Sequence, residues 1–365
     1  MAAFDVIVVG LGGMGSAAVA HTAARGSRVL GVEQYQPGHA NGSSHGRSRV
    51  IRLAYFEDPA YVPLLRRAYE LWRKLEADTG RSLLQITGGL MIGSPTSDVV
   101  SGTLRSAREH HLAHEVLDAA EIHRRFPAFE PGEGTVAVHE PEAGVVRPED
   151  AIHAHLEIAV RHGARLLFDT RVVEWRVTAG GAVEVTTTRG QYEAERVILS
   201  PGPWAPDLFQ YQALPLSVEP QVLYWFDPRG GAEPFAPGRF PVYIWDLGDG
   251  VQFYGFPADD QGRVKVAFYR SKHTDEVAMR GVLNACLPSL GSSRLVEQVT
   301  CRYTLTPDHH FVIGRHPEHP QVVLTSPCSG HGYKFASVVG EILADLTRDG
   351  STRHQIGLFA PDRFS

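Results

Sequence analysis

The sequence predicts an α/β chain with a second, α+β part, and three observations carry that expectation. Short apolar, β-branched runs that end at glycine turns and lead into helical patterns occur at the start, in the middle and at the end of the chain. Between them, residues 218–269 are richer in β-branched and aromatic residues and carry hairpin signals, the mark of a separate antiparallel sheet. The length of 365 residues, 43% hydrophobic and 21% charged, is enough to bury the cores of more than one domain, and it excludes a disordered, collagenous or disulfide-scaffold chain.

In chain order, residues 4–9 read as a buried parallel strand, 16–24 as a small-residue helix and 28–33 as the next strand, together a βαβ opening. Residues 38–49, rich in Gly, Ser and His, read as a loop. Tyr61, Leu64, Leu65, Ala68, Leu71, Trp72 and Leu75 then recur at helical spacing, and that helix ends near Gly80. Arg147-Pro148-Glu149-Asp150 is a helix start, with a helix over 152–162 that Gly163 ends. Four strand-like runs follow between 165 and 199, separated at Asp169-Thr170, Gly180-Gly181 and Arg189-Gly190. The second part contributes strands at 221–226, 243–247, 252–256 and 263–269, with 228–241 as a Gly- and Pro-rich surface loop. Residues 311–314 and 322–325 are short buried runs, and 329–334 is a glycine loop that opens an amphipathic helix through Leu346. The expected division is 1–87, 146–215 and 308–365 for a discontinuous nucleotide domain, and 88–145 with 216–307 for an inserted second domain.

Net charge is −6, from 41 acidic and 35 basic residues, with no long basic run, so nothing marks a nucleic-acid partner. Cys286, Cys301 and Cys328 are odd in number and form no Cys-x-x-Cys pair, against a disulfide framework or a thiolate zinc site and in favour of a reducing compartment. Residues 6–24 carry no formal charge, yet no Lys or Arg precedes them, Asp5 stands where a signal peptide is basic, and glycines interrupt the run. A cytoplasmic start, with no membrane partner, is the expectation.

Gly10-x-Gly12-x-x-Gly15 follows a strand and opens a helix, where a dinucleotide fingerprint must sit. The first glycine allows the tight turn, the second lets backbone approach a pyrophosphate and the third permits close helix–strand packing, while the helix N-terminus favours the anion. Glu33, at the end of the second strand, is placed to accept from a ribose 2′-hydroxyl. These residues describe a Rossmann-like domain and leave FAD, NAD and NADP open, NADP least favoured because Glu33 repels a 2′-phosphate. Gly42-Ser43-Ser44-His45-Gly46 matches a nucleophile elbow in letters only, since no strand precedes Ser44. His309, His310, His316 and His319 lack an acidic or thiol residue at a recognised ligand spacing, and no metal is expected.

Four further motifs occur in order: Ser43-Ser44-His45-Gly46-x-x-Arg49-x-x-Arg52-x-x-Tyr55, Phe253-Tyr254-Gly255-Phe256-Pro257, Cys301-x-Tyr303-x-x-x-Pro307-Asp308, and Ser329-Gly330-His331-Gly332-Tyr333-Lys334-Phe335. On these motifs the whole chain resembles the monomeric sarcosine oxidase and N-methyltryptophan oxidase family of amine oxidases. The resemblance implies FAD linked covalently through a cysteine, oxidation of N-methyl or cyclic secondary amino acids by hydride transfer to the flavin, imine hydrolysis, and peroxide as a product.

Carried over by position, the resemblance makes Cys301 the flavin-linking cysteine, with Arg302 as a neighbouring cation. It makes Arg52 and Lys334 the holders of the substrate carboxylate, and Lys265 the lysine that promotes oxygen reduction. His45 and Arg49 fall close to the flavin ring, and Tyr254 and Tyr303 in an aromatic pocket. Ser43, Ser44, Val173, Ser200, Gly202, Gly330, Gly332 and Tyr333 complete the implied cofactor contacts, Gly330 and Gly332 by letting backbone N–H groups and a positive helix end approach the flavin. One position departs from the pattern: sarcosine-active members carry a histidine four residues after the lysine, and here that residue is Tyr269. A phenol there adds stacking surface, worth about 1.5–3 kcal/mol for one buried ring, so a larger or cyclic side group is expected to be used at least as well as sarcosine. A monomer is expected. The competing readings are an NAD-dependent dehydrogenase, which shares the glycine fingerprint, and a flavin-holding subunit without turnover.

Overall fold

The computed structural model describes residues 4–210 and 214–364. Residues 1–3, 211–213 and 365, which the expected domain ranges include, lie outside them. The first strand, β1 (Phe4–Val9), the first helix, α1 (Gly13–Ala24), and the second strand, β2 (Val29–Val32), form the βαβ opening. The helix begins three residues earlier than the small-residue pattern suggests, because Gly12 serves as its N-cap and the turn from β1 is that short.

β1 lies in the middle of an eight-stranded sheet, parallel to β2 on one side and to Gly190–Leu199 on the other, with Val9 opposite Val32 and Leu199. Four strands fill 165–199 as expected: Arg165–Leu167 extends the sheet beyond β2, while Val172–Val177 and Val183–Thr187 run antiparallel toward Gly190–Leu199. Val322–Ser326 joins parallel to Gly190–Leu199, and Val312–Arg315 folds back on it. Five of the six residues from Val6 to Leu11, all but Gly10, are buried, which is why this run lacks alternation. α1 packs against the helices Pro148–Arg161 and Ala336–Asp349; a Cβ on Gly340 would lie 2.5 Å from Ala17 Cβ, so glycine sets how closely those two helices cross.

A second eight-stranded sheet runs in the order Arg294–Leu305, Ser217–Asp227, Val264–Arg270, Gln252–Gly255, Val242–Asp246, Gly89–Gly93, Val136–Glu140, Glu115–Asp118. It is mixed, since Val242–Asp246 pairs parallel with Gly89–Gly93 and every other pair is antiparallel. A small sheet of Arg49–Ile51, Gly144–Val146 and Leu84–Ile86 completes the strands described.

Two expectations need correction. Residues 228–241 are not a surface loop throughout: Phe235 and Phe240 are fully buried, and Phe240 stacks on Phe129 with ring centroids 4.7 Å apart. Gly and Pro set the path of this segment, but two aromatic rings anchor it to the core. The last helix starts at Ala336, after a 3-10 turn over Tyr333–Phe335, and its residues 336–344 are all buried despite their amphipathic pattern. No described helix is long and apolar enough to cross a membrane.

Candidate active site

One large cavity runs from the glycines after β1 to the junction of the two large sheets. Its lining includes Gly10, Gly12, Glu33, Ser43, Ser44, Arg49, Arg52, Val173, Ser200, Gly202, Tyr254, Tyr269, Cys301, Tyr303, Gly330, Gly332, Tyr333 and Lys334. Gly15, His45 and Lys265, also expected at the site, are not among the lining residues.

At the first end the three glycines divide their work. Gly10 has φ +84°, and a Cβ there would lie 2.4 Å from Ser200 O. A Cβ on Gly15 would lie 1.7 Å from Gly10 O, so this glycine is required by helix–strand packing and not by contact with a ligand. Gly12 is open by comparison, 3.4 Å from Ser44 Oγ. Glu33 is buried and its carboxylate ties the cradle together, accepting from Leu11 N at 2.8 Å and Tyr35 N at 3.1 Å. A first helical turn with no acidic residue, the close-approach glycines Gly10 and Gly12, and an acceptor carboxylate at the end of β2 fit a dinucleotide pyrophosphate and ribose.

Residues 42–46 are no elbow. The next strand comes only at Arg49, and Ser44 Oγ accepts from Gly13 N at 3.1 Å. Arg49 binds two carbonyls, Ser48 O at 2.8 Å and Ser43 O at 2.7 Å, and its guanidinium lies 4.0 Å from Cys301 Sγ. The cation beside Cys301 is therefore Arg49 and not Arg302. Side chains of adjacent strand residues point to opposite faces, and the Arg302 guanidinium lies over the Trp204 ring, 5.9 Å from its centroid. Cys301 is buried on the Arg294–Leu305 strand, and its Sγ is 3.7 Å from Ser43 O.

Lys265 sits behind the loop of residues 46–48. Its Nζ donates to Gly46 O at 2.7 Å, Ser48 O at 2.8 Å and Ser48 Oγ at 3.2 Å, and lies 4.6 Å from the Phe256 ring centroid. Burial and the Arg49 charge push its pKa down, whereas three oxygens match the three donors of an ammonium. His45 is buried nearby, with Nε2 unpartnered among the described residues; burial, with Arg49 and Lys265 adding to it, lowers its pKa to about 4.

At the far end, Arg52 and Lys334 flank the Tyr55 ring, at 4.2 Å and 5.1 Å from its centroid. Both are buried. Lys334 Nζ donates to His331 O at 2.7 Å and to Tyr55 OH at 3.4 Å; burial and the Arg52 charge pull its pKa to about 7. Arg52 is already paired. Its Nη2 bonds both oxygens of Glu57, at 2.8 Å and 2.7 Å, Nη1 donates to Ala54 O at 3.0 Å, and Nε is a buried donor with no partner among the described residues. Although desolvation opposes it, the charges of Arg52, His331 and Lys334 hold the Glu57 carboxyl down to about 2.

Glu57 was not expected from the sequence, where it is one acid just after Tyr55-Phe56. Tyr269 donates to Glu57 Oε1 at 3.1 Å and meets Phe56 edge-on, 6.0 Å between centroids. The phenol is thus pinned to the Arg52–Glu57 pair. Tyr254 and Tyr303 face each other, hydroxyls 3.4 Å apart, and the Tyr303 ring packs against Gly330, where a Cβ would come within 2.8 Å of it. The glycine loop is tightly closed: His331 N and Gly332 N both donate to Cys328 O, at 2.9 Å and 3.1 Å, and a Cβ on Gly332 would sit 1.4 Å from Pro327 O. Those two N–H groups are therefore spent within the loop.

The histidines near 310 separate. His310 Nδ1 pairs with Tyr61 OH at 2.9 Å, whereas His316 and His319 gather with Glu318, their ligand atoms within 4.8 Å of one another, so an acidic residue does accompany two of them. His316 Nδ1 already accepts from Glu318 N at 3.1 Å.

Comparison with known proteins agrees with this architecture. The family model described as FAD dependent oxidoreductase matches residues 5–346. Monomeric sarcosine oxidase of Streptomyces avermitilis is 49% identical, over 99% of this chain and 98% of its own length. N-methyl-L-tryptophan oxidase of Yersinia pestis is 31% identical, over 99% of both chains. Among solved structures, NikD, an unusual amino acid oxidase essential for nikkomycin biosynthesis, superposes with a TM-score of 0.84 at 27% identity, over 98% of this chain and 97% of NikD. The chain belongs to the FAD-dependent oxidoreductase family that includes monomeric sarcosine oxidase and N-methyl-L-tryptophan oxidase.

Proposed function

We propose that this chain is an oxidase of secondary α-amino acids, N-methyl or cyclic, that produces an imine and hydrogen peroxide. The observation that carries this reading is the pair of buried cations, Arg52 and Lys334, on one aromatic ring at the end of a cavity whose other end is a dinucleotide cradle. Bound FAD supplies the two-electron acceptor.

Gly10, Gly12, Glu33, Ser43, Ser44, Val173, Ser200, Gly202, Gly330, Gly332 and Tyr333 would hold that cofactor, with Gly15 packing the helix behind it. Cys301 is our candidate for a thioether link, supported by its place in the cavity lining and by the Arg49 guanidinium 4.0 Å from its Sγ. Lys334 and the free Nε of Arg52 would grip the substrate carboxylate and so orient the carbon that loses hydrogen. Tyr254, Tyr269 and Tyr303 wall the side-group end and exclude water. Lys265, with His45 and Arg49 close by, would stabilise the negative charge that develops as oxygen is reduced. We assign residues 1–87, 146–215 and 308–365 to cofactor binding and 88–145 and 216–307 to substrate binding, in a cytoplasmic monomer.

The test is anaerobic bleaching of the flavin by sarcosine, N-methyltryptophan, proline and pipecolate, followed by kcat/KM for each. Bulky or cyclic substrates should match or exceed sarcosine, because Glu57 anchors Tyr269 at the wall. A marked preference for sarcosine would mean that the phenol closes the pocket, and no bleaching by any secondary amine would end the amine-oxidase reading.

A further inference from the structure

The loop that holds Lys265 is itself held from outside the cavity. Gly46 and Arg47 both have left-handed backbones, φ +98° and +65°, and their successive N–H groups point at one acceptor. The Glu149 carboxylate occupies that point: its Oε1 accepts from Gly46 N at 2.7 Å and from Arg47 N at 3.1 Å. The Gly46 carbonyl on the other side of the same peptide chain accepts from Lys265 Nζ at 2.7 Å and from Ser48 N at 2.8 Å. Glycine suits position 46, since its φ of +98° strains any side chain and a Cβ would lie 2.8 Å from Leu223 Cδ1. Glu149 is not among the cavity-lining residues, and it stands on the first turn of the helix Pro148–Arg161.

We propose that Glu149 is a positioning residue for the Lys265 ammonium, acting through the N–H groups and carbonyls of the 46–48 loop. This rests on the reading that Lys265 promotes oxygen reduction. A carboxylate at the loop's outer face fixes where its carbonyls point, and it is a counter-charge in a cluster otherwise dominated by cations. The charged and titratable groups acting on Lys265 are Arg49 from the Arg49–Ile51 strand, Glu149 from the helix, Cys301 from the Arg294–Leu305 strand and Arg47 from the loop, and His45 feels Lys265 in turn. Of these, Glu149 and Cys301 favour the charged lysine and the two arginines oppose it. Arg47 is engaged elsewhere, bidentate on Glu297 at 2.9 Å and 2.7 Å, so the loop's second anchor does not depend on Glu149.

The experiment compares Glu149→Ala, Glu149→Gln and Lys265→Met holoenzymes in stopped-flow measurements of anaerobic reduction and of reoxidation by oxygen, with flavin content and carboxylate-inhibitor Kd as controls. Glu149→Ala should slow reoxidation about 10- to 100-fold and change reduction less than about threefold. Glu149→Gln keeps an acceptor for both N–H groups and should recover most of the rate at neutral pH, with the pH profile of reoxidation displaced to lower pH. Normal reoxidation in both Glu149 variants beside a slow Lys265→Met overturns the proposal, and so does an equal loss in both half-reactions. If Lys265→Met reoxidises normally, the role of Lys265 falls and the proposal falls with it, a result distinct from failure of Glu149 alone. Should Glu149→Ala not fold, the displaced profile of Glu149→Gln decides, and an undisplaced profile refutes.

Discussion

The affinity of the pocket for a carboxylate should depend on pH through one residue, Lys334. Its amine is buried beside the Arg52 guanidinium, and these two effects bring its pKa from the usual lysine range to about 7. A carboxylate held by the charged form binds with an apparent Kd proportional to 1 + 10^(pH − 7). From pH 6 to pH 9 that is a loss of up to about 90-fold, close to two pKa units at about 1.4 kcal/mol each. The other groups around the clamp titrate outside this window: His331 is pushed down to about 3 and Glu57 to about 2, while burial raises Tyr55 and Tyr269. Arg52 stays charged throughout and contributes a constant term. The assay is titration of flavin absorbance with a small carboxylate that carries no amine, at half-unit steps of pH. Lys334→Met should bind weakly and without pH dependence, which separates Lys334 from Lys265, whose pKa is also pushed down. A wild-type Kd that stays flat between pH 6 and 9, or a slope that survives in Lys334→Met, refutes the reasoning.

Arg52→Ala should weaken carboxylate binding by about 2–5 kcal/mol, part of it because Glu57 loses its cation and would repel the ligand, and Arg52→Ala with Glu57→Gln should recover a portion of that loss in the same titration. Lys334→Met should also raise thermal stability at pH 6: the native pKa lies below the unfolded one, so stability is lost as pH falls from the unfolded value toward 7, and removing the amine returns up to about 5 kcal/mol. An unchanged or lowered Tm there would contradict the burial cost. Cys301→Ser should give a protein whose flavin leaves on acid precipitation while that of wild type stays with the chain; labelling of the mutant would move the link elsewhere. Gly15→Ala, which puts a methyl 1.7 Å from Gly10 O, should lower Tm sharply, whereas Gly12→Ala, with 3.4 Å available, should fold and yet hold FAD weakly. Equal behaviour of the two by calorimetry and flavin content would remove the division of roles between them.

Much of the first sheet was legible in the residues, because its evidence is local. Val6-Ile7-Val8-Val9 is a continuous apolar run, Gly10-x-Gly12-x-x-Gly15 follows it directly, and the strand turns at 180–181 and 189–190 are marked by glycine within a few positions. Cys301, Arg52 and Lys334, the proposed link and clamp, stand in linked motifs whose spacing is itself a sequence property, and Lys265 follows from the same resemblance by position. What those residues touch is another matter. Glu57 on Arg52, Arg49 on Cys301 and Glu149 on the backbone of the loop below Lys265 join residues separated by 5, 252 and 103 positions, and nothing in the intervening sequence records the approach. The same limit hid the buried Phe235 and Phe240 in a stretch whose glycines and prolines speak for a surface turn, and it hid the parallel pairing of Val242–Asp246 with Gly89–Gly93. Periodicity and turn chemistry report the conformation of a few neighbouring residues. Which charge neutralises which, and where the Tyr269 phenol points, depends on strands and helices that meet only when the chain has closed on itself, and so only the tertiary structure decides them.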